Sequence, residues 1–179
     1  MAPQLILFAA LLLLVFWATY TYRQLLALHR RIDALWRDIG HLLQRRLRLV
    51  PALEAAAQQY ASPEASVLAA LTKAQSAAAT AATVSQQVSA HNALSSALSA
   101  LLAGARATGH LEQAPGFTPL HQELVAVDTR LARLRRSYND EVMAFNTMLQ
   151  SFPANMVASM GHFSRRPYFE MDSGAASTP

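Results

Sequence analysis

Residues 5–22 read "LILFAALLLLVFWATYTY" and carry no charge. A helix of this length rises ~27 Å, close to the ~30 Å hydrocarbon core of a bilayer. Trp17, Tyr20 and Tyr22 stand toward its end, where interfacial aromatic side chains belong. A cleaved signal peptide would need a basic start and a small-residue cleavage site after the apolar run. No Lys or Arg precedes the run, and bulky "TYTYRQLL" follows it. The sequence therefore predicts a retained transmembrane anchor at 5–22, preceded by a short tail at 1–4. Arg23, Arg30, Arg31 and Arg37 lie just after the anchor and none lies before it. The positive-inside rule then predicts a single-pass protein with its N-terminus outside and the rest in the cytoplasm.

Beyond the anchor the apolar positions repeat every seven residues. One series is Leu25, Ile32, Ile39, Arg46 and Leu53, and the other is Leu28, Leu35, Leu42, Leu49 and Ala56. These are the two seam series of a helix packed at coiled-coil-like angles, so the membrane helix is expected to continue directly into the first bundle helix. Pro51 removes one backbone hydrogen bond and is expected to kink that helix near Leu47–Pro51. "YASPEAS" marks a boundary, with Ser62 as N-cap, Pro63 at the first helical position and Glu64 at the N-terminal turn. The Ala-, Ser- and Gln-rich segment to about Ala103 is read as a long second helix of small side chains, with a bend near Thr80–Ser89 as the alternative. "GARATGHLEQAPGF" is a loop by its Gly and Pro content. Thr118–Pro119 repeats the helix-start signal, and the third helix is expected to reach about Ser151. Its core stripe is Leu124, Leu131, Tyr138, Phe145 and Phe152. A break at Pro153, a short fourth helix to about Met160 and a disordered tail at 171–179 complete the reading. The fold class is all-α: a transmembrane helix continuous with an up-down-up bundle of three long helices, plus a short C-terminal helix, with the bundle at 23–170.

The chain has 179 residues and a net charge of +4, but charged residues are only 15% of it. A nucleic-acid-binding domain carries a denser basic patch, so no nucleic-acid partner is expected. The absence of Cys excludes disulfides, thiolate chemistry and cysteine metal sites. The six histidines, His29, His41, His91, His110, His121 and His162, form no HExxH pair or other helical metal spacing. There is no GxSxG and no Gly-rich phosphate loop, and Glu54 and Glu123 have no obvious acidic mate. No catalytic residue, metal or cofactor is expected.

Two features remain. Arg46 falls at a seam position among Leu and Ile, where a charge must pair or reach out to water. If helices one and three run parallel, aligning their C-terminal ends puts Arg46 near Tyr138, with Glu141 one turn on. The expectation is a buried or half-buried polar layer of Arg46, Tyr138 and Glu141, with Asn139 or Asn146 supplying amides. Asn139 and Asn146 stand seven residues apart, which suits interhelical hydrogen bonds and register setting better than catalysis. Second, Arg23, Arg30, Arg37, His41, Arg45 and Arg48 share about a quarter of the helix circumference. Arg23 can meet anionic headgroups. Arg37 stands ~22 Å further along a perpendicular helix, beyond a Debye length of ~8 Å. The upper stripe is thus either a docking surface for an acidic partner or an ordinary solvated face.

Three stretches together resemble the LemA family of bacterial membrane-anchored helical proteins: "QRRLRLVPAL" at 44–53, "DTRLARLRRSYNDEVMAFNTMLQSFP" at 128–153 and "GHFSRRPYFE" at 161–170. Gln44, Arg45, Arg46, Leu49, Pro51 and Leu53 fit the first motif, while Arg48 stands where the family has Asp. Ala52 and Glu54 depart from it as well. Arg130, Arg135, Tyr138, Asn139, Asn146, Phe152 and Pro153 fit the second, with Asp128 in place of the usual Glu. Phe163, Tyr168 and Phe169 fit the third. The resemblance implies one N-terminal membrane helix and a cytoplasmic or periplasm-facing antiparallel bundle, and the expected location is the bacterial inner membrane. It supplies no reaction. Relatives that serve magnetosome formation or accompany membrane proteases imply adaptor or scaffold roles. The expectation is a non-enzymatic adaptor that presents the bundle to a protein partner. The alternative is a self-associating scaffold that organises or remodels the membrane.

Overall fold

The computed structural model describes residues 2–61, 63–107 and 116–170. These form five α-helices and, among the described residues, no strand: α1 (Ala2–Ala61), α2 (Ala65–Thr80), α3 (Val84–Ala107), α4 (Phe117–Gln150) and α5 (Ala154–Met160). The architecture is all-α, with the apolar N-terminal run continuous with the first packed helix. Pro51 lies inside α1 rather than ending it. The large apolar side chains from Leu5 to Phe16 are 54–72% exposed. A helix that leaves such a surface uncovered, and satisfies its backbone internally, is long and apolar enough to span a membrane. From Leu25 onward the seam takes over: Leu25, Ile32, Ile39, Arg46 and Leu53 are each no more than 1% exposed. In the second series Leu42 and Leu49 are buried, and Leu28, Leu35 and Ala56 are half-buried.

The expected second helix is two helices, α2 and α3, that pack on each other. The break at residues 81–83 has a local cause. The Thr83 hydroxyl accepts the Gln86 backbone N–H at 3.2 Å, and the Gln86 side-chain oxygen accepts the backbone N–H groups of Thr83 and Ala82, each at 3.1 Å. This is a reciprocal capping box, which satisfies the first N–H groups of α3 and fixes its start at Val84. The alternative bend near Thr80–Ser89 is therefore realised as a helix start.

Other boundaries shift slightly. α2 begins at Ala65 with Glu64, in an extended conformation, at its N-cap, two residues beyond the expected start. Ser62 lies outside the described residues. α4 begins at Phe117, so Thr118 is already in its first turn. Gly116 precedes it with φ +83°, a left-handed conformation that glycine adopts without a Cβ clash. Part of the expected loop, Gly104–Ala107, is helical in α3; residues 108–115 and the tail at 171–179 lie outside the described residues.

The chain divides into two compact units: residues 1–36 with 137–168, and residues 37–136 with 169–179. In the first unit, Trp36 meets Tyr138, Arg31 meets Glu141 and His29 meets Phe145. Positions fall along α1 as they rise along α4, so these two helices run antiparallel there. That corrects the parallel alignment assumed for the first and last long helices. Splitting the second helix adds one pass of the chain, and α4 therefore returns in the opposite sense. Its stripe is buried at Tyr138 and Phe145, but Phe152 lies past the end of α4 and is 81% exposed. In the second unit the core comprises Ile39, Leu43, Val50 and Leu53 of α1, Leu71 of α2, Leu94, Leu98 and Leu101 of α3, and Leu124, Val127 and Leu131 of α4.

Candidate functional site

The polar groups expected in one layer form two clusters, one in each unit. In the second unit Arg46 is as deeply buried as its aliphatic neighbours. Its Nε lies 2.9 Å from Asp128 Oδ1, a charge contact in which Nε itself makes no aligned hydrogen bond. Its Nη2 donates to Ser95 Oγ at 2.9 Å and its Nη1 to the His91 carbonyl at 3.4 Å. Ser95 Oγ in turn donates to the same carbonyl at 2.8 Å. Three helices thus converge on one guanidinium: α1 supplies it, α3 a hydroxyl and a carbonyl, and α4 the countercharge.

Burial pushes the Arg46 pKa down, and Asp128 partly opposes it. Burial pushes the Asp128 carboxyl up, against the opposing pull of Arg46. His91 is held neutral, its pKa pushed down to about 4 first by burial and second by the Arg46 charge. Its Nδ1 is buried without a hydrogen-bond partner. Apart from that nitrogen, the polar groups named here contact one another, and those contacts tie α1, α3 and α4 together at one level.

The first unit contains the other cluster. Asn146 Nδ2 donates to the Arg166 carbonyl at 2.9 Å, and the Arg166 N–H donates to Asn146 Oδ1 at 2.9 Å. The side-chain amide therefore pairs with a backbone segment as a strand neighbour would. The Tyr138 hydroxyl donates to the Pro167 carbonyl at 3.1 Å, and burial raises its pKa. Arg166 Nη2 donates to Asp33 Oδ1 at 2.7 Å and lies 3.0 Å from His29 Nε2. Glu141 is 3.8 Å from exposed Arg31, and Asn139 is half-buried. Phe163 packs against His29 and Phe145. The partners of Tyr138 and Asn146 are thus the C-terminal segment, and Arg46 has its own. Asn146→Ala removes both hydrogen bonds to the half-buried Arg166 backbone and is expected to destabilise by about 1–2 kcal/mol. Faster hydrogen exchange at the Arg166 amide would report it; unchanged protection there would refute the pairing.

All six members of the basic stripe are exposed. Arg45 is engaged by Glu123, with Nη2 and Nε 2.8 and 2.9 Å from the same carboxylate oxygen. An exposed pair of this kind is worth about 0–1 kcal/mol, but it lowers the net charge of the stripe. Arg48 stands on an open groove lined by Gln44, Leu47 and Pro51 of α1 and by Gln75, Ser76 and Ala79 of α2. Among the described residues no group of three or more His, Cys, Asp or Glu is placed to hold a metal ion.

Sequence reasoning missed Asp128, Ser95 and His91 as partners of Arg46, and residues 166–167 as partners of α4. The family model described as "LemA family" matches residues 35–179. No match is found among curated proteins.

Proposed function

The chain belongs to the LemA family, and from that premise we propose that it is a membrane-anchored, non-enzymatic helical adaptor. Residues 5–22 hold it in the bacterial inner membrane, and its surface in the second unit receives a protein partner. The observation that carries this reading is the groove between α1 and α2. Arg48 lines it together with Leu47, Pro51 and Ala79. A segment with a carboxylate beside apolar side chains fits that chemistry. The alternative, a self-associating scaffold, requires the same surface to meet a second copy.

Photocrosslinkers at Arg30, Arg37 and Arg48 in native membranes separate the two. A defined heterologous product from Arg48 is expected. Homotypic products, with altered membrane shape on overproduction, would replace the adaptor with the scaffold. No product would leave the stripe as a solvated face. The charge bias of Arg23, Arg30, Arg31 and Arg37, with no Lys or Arg before the anchor, supports a bundle on the cytoplasmic side. A reporter fused after Pro179 is expected to be active there; activity only in the periplasm would reverse the orientation.

A further inference from the structure

In the first unit, the end of the apolar run meets the segment that follows α5. Thr21 is only 3% exposed, although the large apolar side chains up to Phe16 are more than half exposed. The Tyr22 ring lies 5.8 Å from the Phe163 ring. A Cβ on Gly161 would come within 3.2 Å of Tyr22 and 2.8 Å of Phe163, so any larger residue would push the Phe163 ring aside. The Phe163 N–H closes α5 on the Ala158 carbonyl at 3.1 Å, and His162, with φ 54°, turns the chain there. α5 and Phe163 are therefore fixed beside the residues at which the charge-free run ends.

α5 is two-faced. Ala154 and Ala158 are buried, while Met156 and Met160, about 200° round the helix from them, are 61% and 82% exposed. Phe152, in the turn before α5, is also exposed. The surrounding sequence has no carboxylate: none lies between Val142 and Phe169, and none on α1 before Asp33. Arg23 and Arg165 are exposed cations in these stretches. Large, adaptable apolar side chains beside cations, with no acidic residue among them, suit the headgroup region of a bilayer.

We propose that α5 is a membrane-surface foot. Phe152, Met156 and Met160 enter the boundary between headgroups and acyl chains beside the anchor, and Arg23 and Arg165 meet headgroup phosphates. This rests on the anchor reading of residues 5–22. The occupant is lipid because the face belongs to an element packed at the end of a bilayer-length apolar helix.

The chain has no Cys, so single cysteines carry a fluorophore cleanly. Full-length Leu12→Cys, Ala77→Cys, Met156→Cys and Met160→Cys variants would be labelled and reconstituted in phosphatidylcholine–phosphatidylglycerol vesicles. Quenching by lipid nitroxides and by aqueous iodide reads depth. Labels at 156 and 160 are expected about 5–10 Å into the headgroup–acyl boundary, with 12 deep and 77 in water. Labels at 156 and 160 in water with 12 deep would overturn the foot and leave the anchor standing. A label at 12 in water would overturn both. Shielding of 156 and 160 from both quenchers would also overturn the foot, since protein rather than lipid would then cover that face.

Discussion

Asp128→Ala is expected to lower the unfolding free energy by about 3–5 kcal/mol, the usual consequence of removing one member of a buried ion pair. The guanidinium it leaves behind is 1% exposed and cannot lose its proton at any ordinary pH. Ser95 and the His91 carbonyl would still accept from Nη2 and Nη1, but neither carries charge. Arg46 would have to drag its helix toward water or remain desolvated without a countercharge. Arg46→Met should be milder, because Asp128 retains some exposure and can protonate, its pKa already being raised by burial. Ser95 would still donate to the His91 carbonyl, so the substitution strands no hydroxyl. The double variant is expected within about 1 kcal/mol of the parent, or above it, since an apolar replacement of a buried pair is often neutral or stabilising. Urea unfolding of the full chain in detergent, followed by circular dichroism, measures the cycle. A loss below about 1 kcal/mol for Asp128→Ala, the value of an exposed pair, would mean that the pair contributes no more than a surface contact.

Why this pair was half legible in the sequence follows from what a heptad records. Periodicity fixes which face of a helix is inward, and it placed Arg46 in the core with Leu25, Ile32, Ile39 and Leu53. It does not fix which level of another helix arrives there. That depends on the number of passes between the two helices, and hence on whether the Ala-rich segment is one helix or two. The signal for two was present: Thr83 and Gln86 have the spacing of a capping box. It was masked by neighbours that are themselves good helix formers. With one pass too few, Arg46 aligned with Tyr138, and Asp128 was a substitution in a motif rather than a partner. The C-terminal segment was hidden for another reason. Residues 164–169 have no helical periodicity, and their pairing with Asn146 and Tyr138 runs through backbone carbonyls and an N–H, which every residue possesses. The Asn146 amide does hold neighbouring chain in place, but its neighbour is the segment after α5 rather than α1.

Acidification from pH 7.5 to 4 is expected to remove about 3 kcal/mol of stability through His91 alone, at about 1.4 kcal/mol per pKa unit. The folded pKa, near 4, lies below the ordinary value of 6.5. Between those values the unfolded chain binds a proton that the folded chain refuses, so stability rises with pH across this window. The penalty is absent above 6.5, grows as the pH falls through the window, and stops growing below about 4, where the folded ring also protonates. Asp128 acts in the opposite sense. Its folded pKa is raised, so acid relieves part of the strain of keeping it charged. A pH profile of the parent alone therefore mixes the two, along with every exposed carboxylate. His91→Leu separates them. The ring's Nδ1 has no hydrogen-bond partner to lose, and the carbonyl that receives Arg46 and Ser95 is backbone. The parent and variant curves should diverge below pH 6.5, with the variant losing about 3 kcal/mol less by pH 4. Parallel curves would show that the ring is protonated in the folded state, and the cluster around Arg46 would then have to admit a second positive charge at the same level of the core.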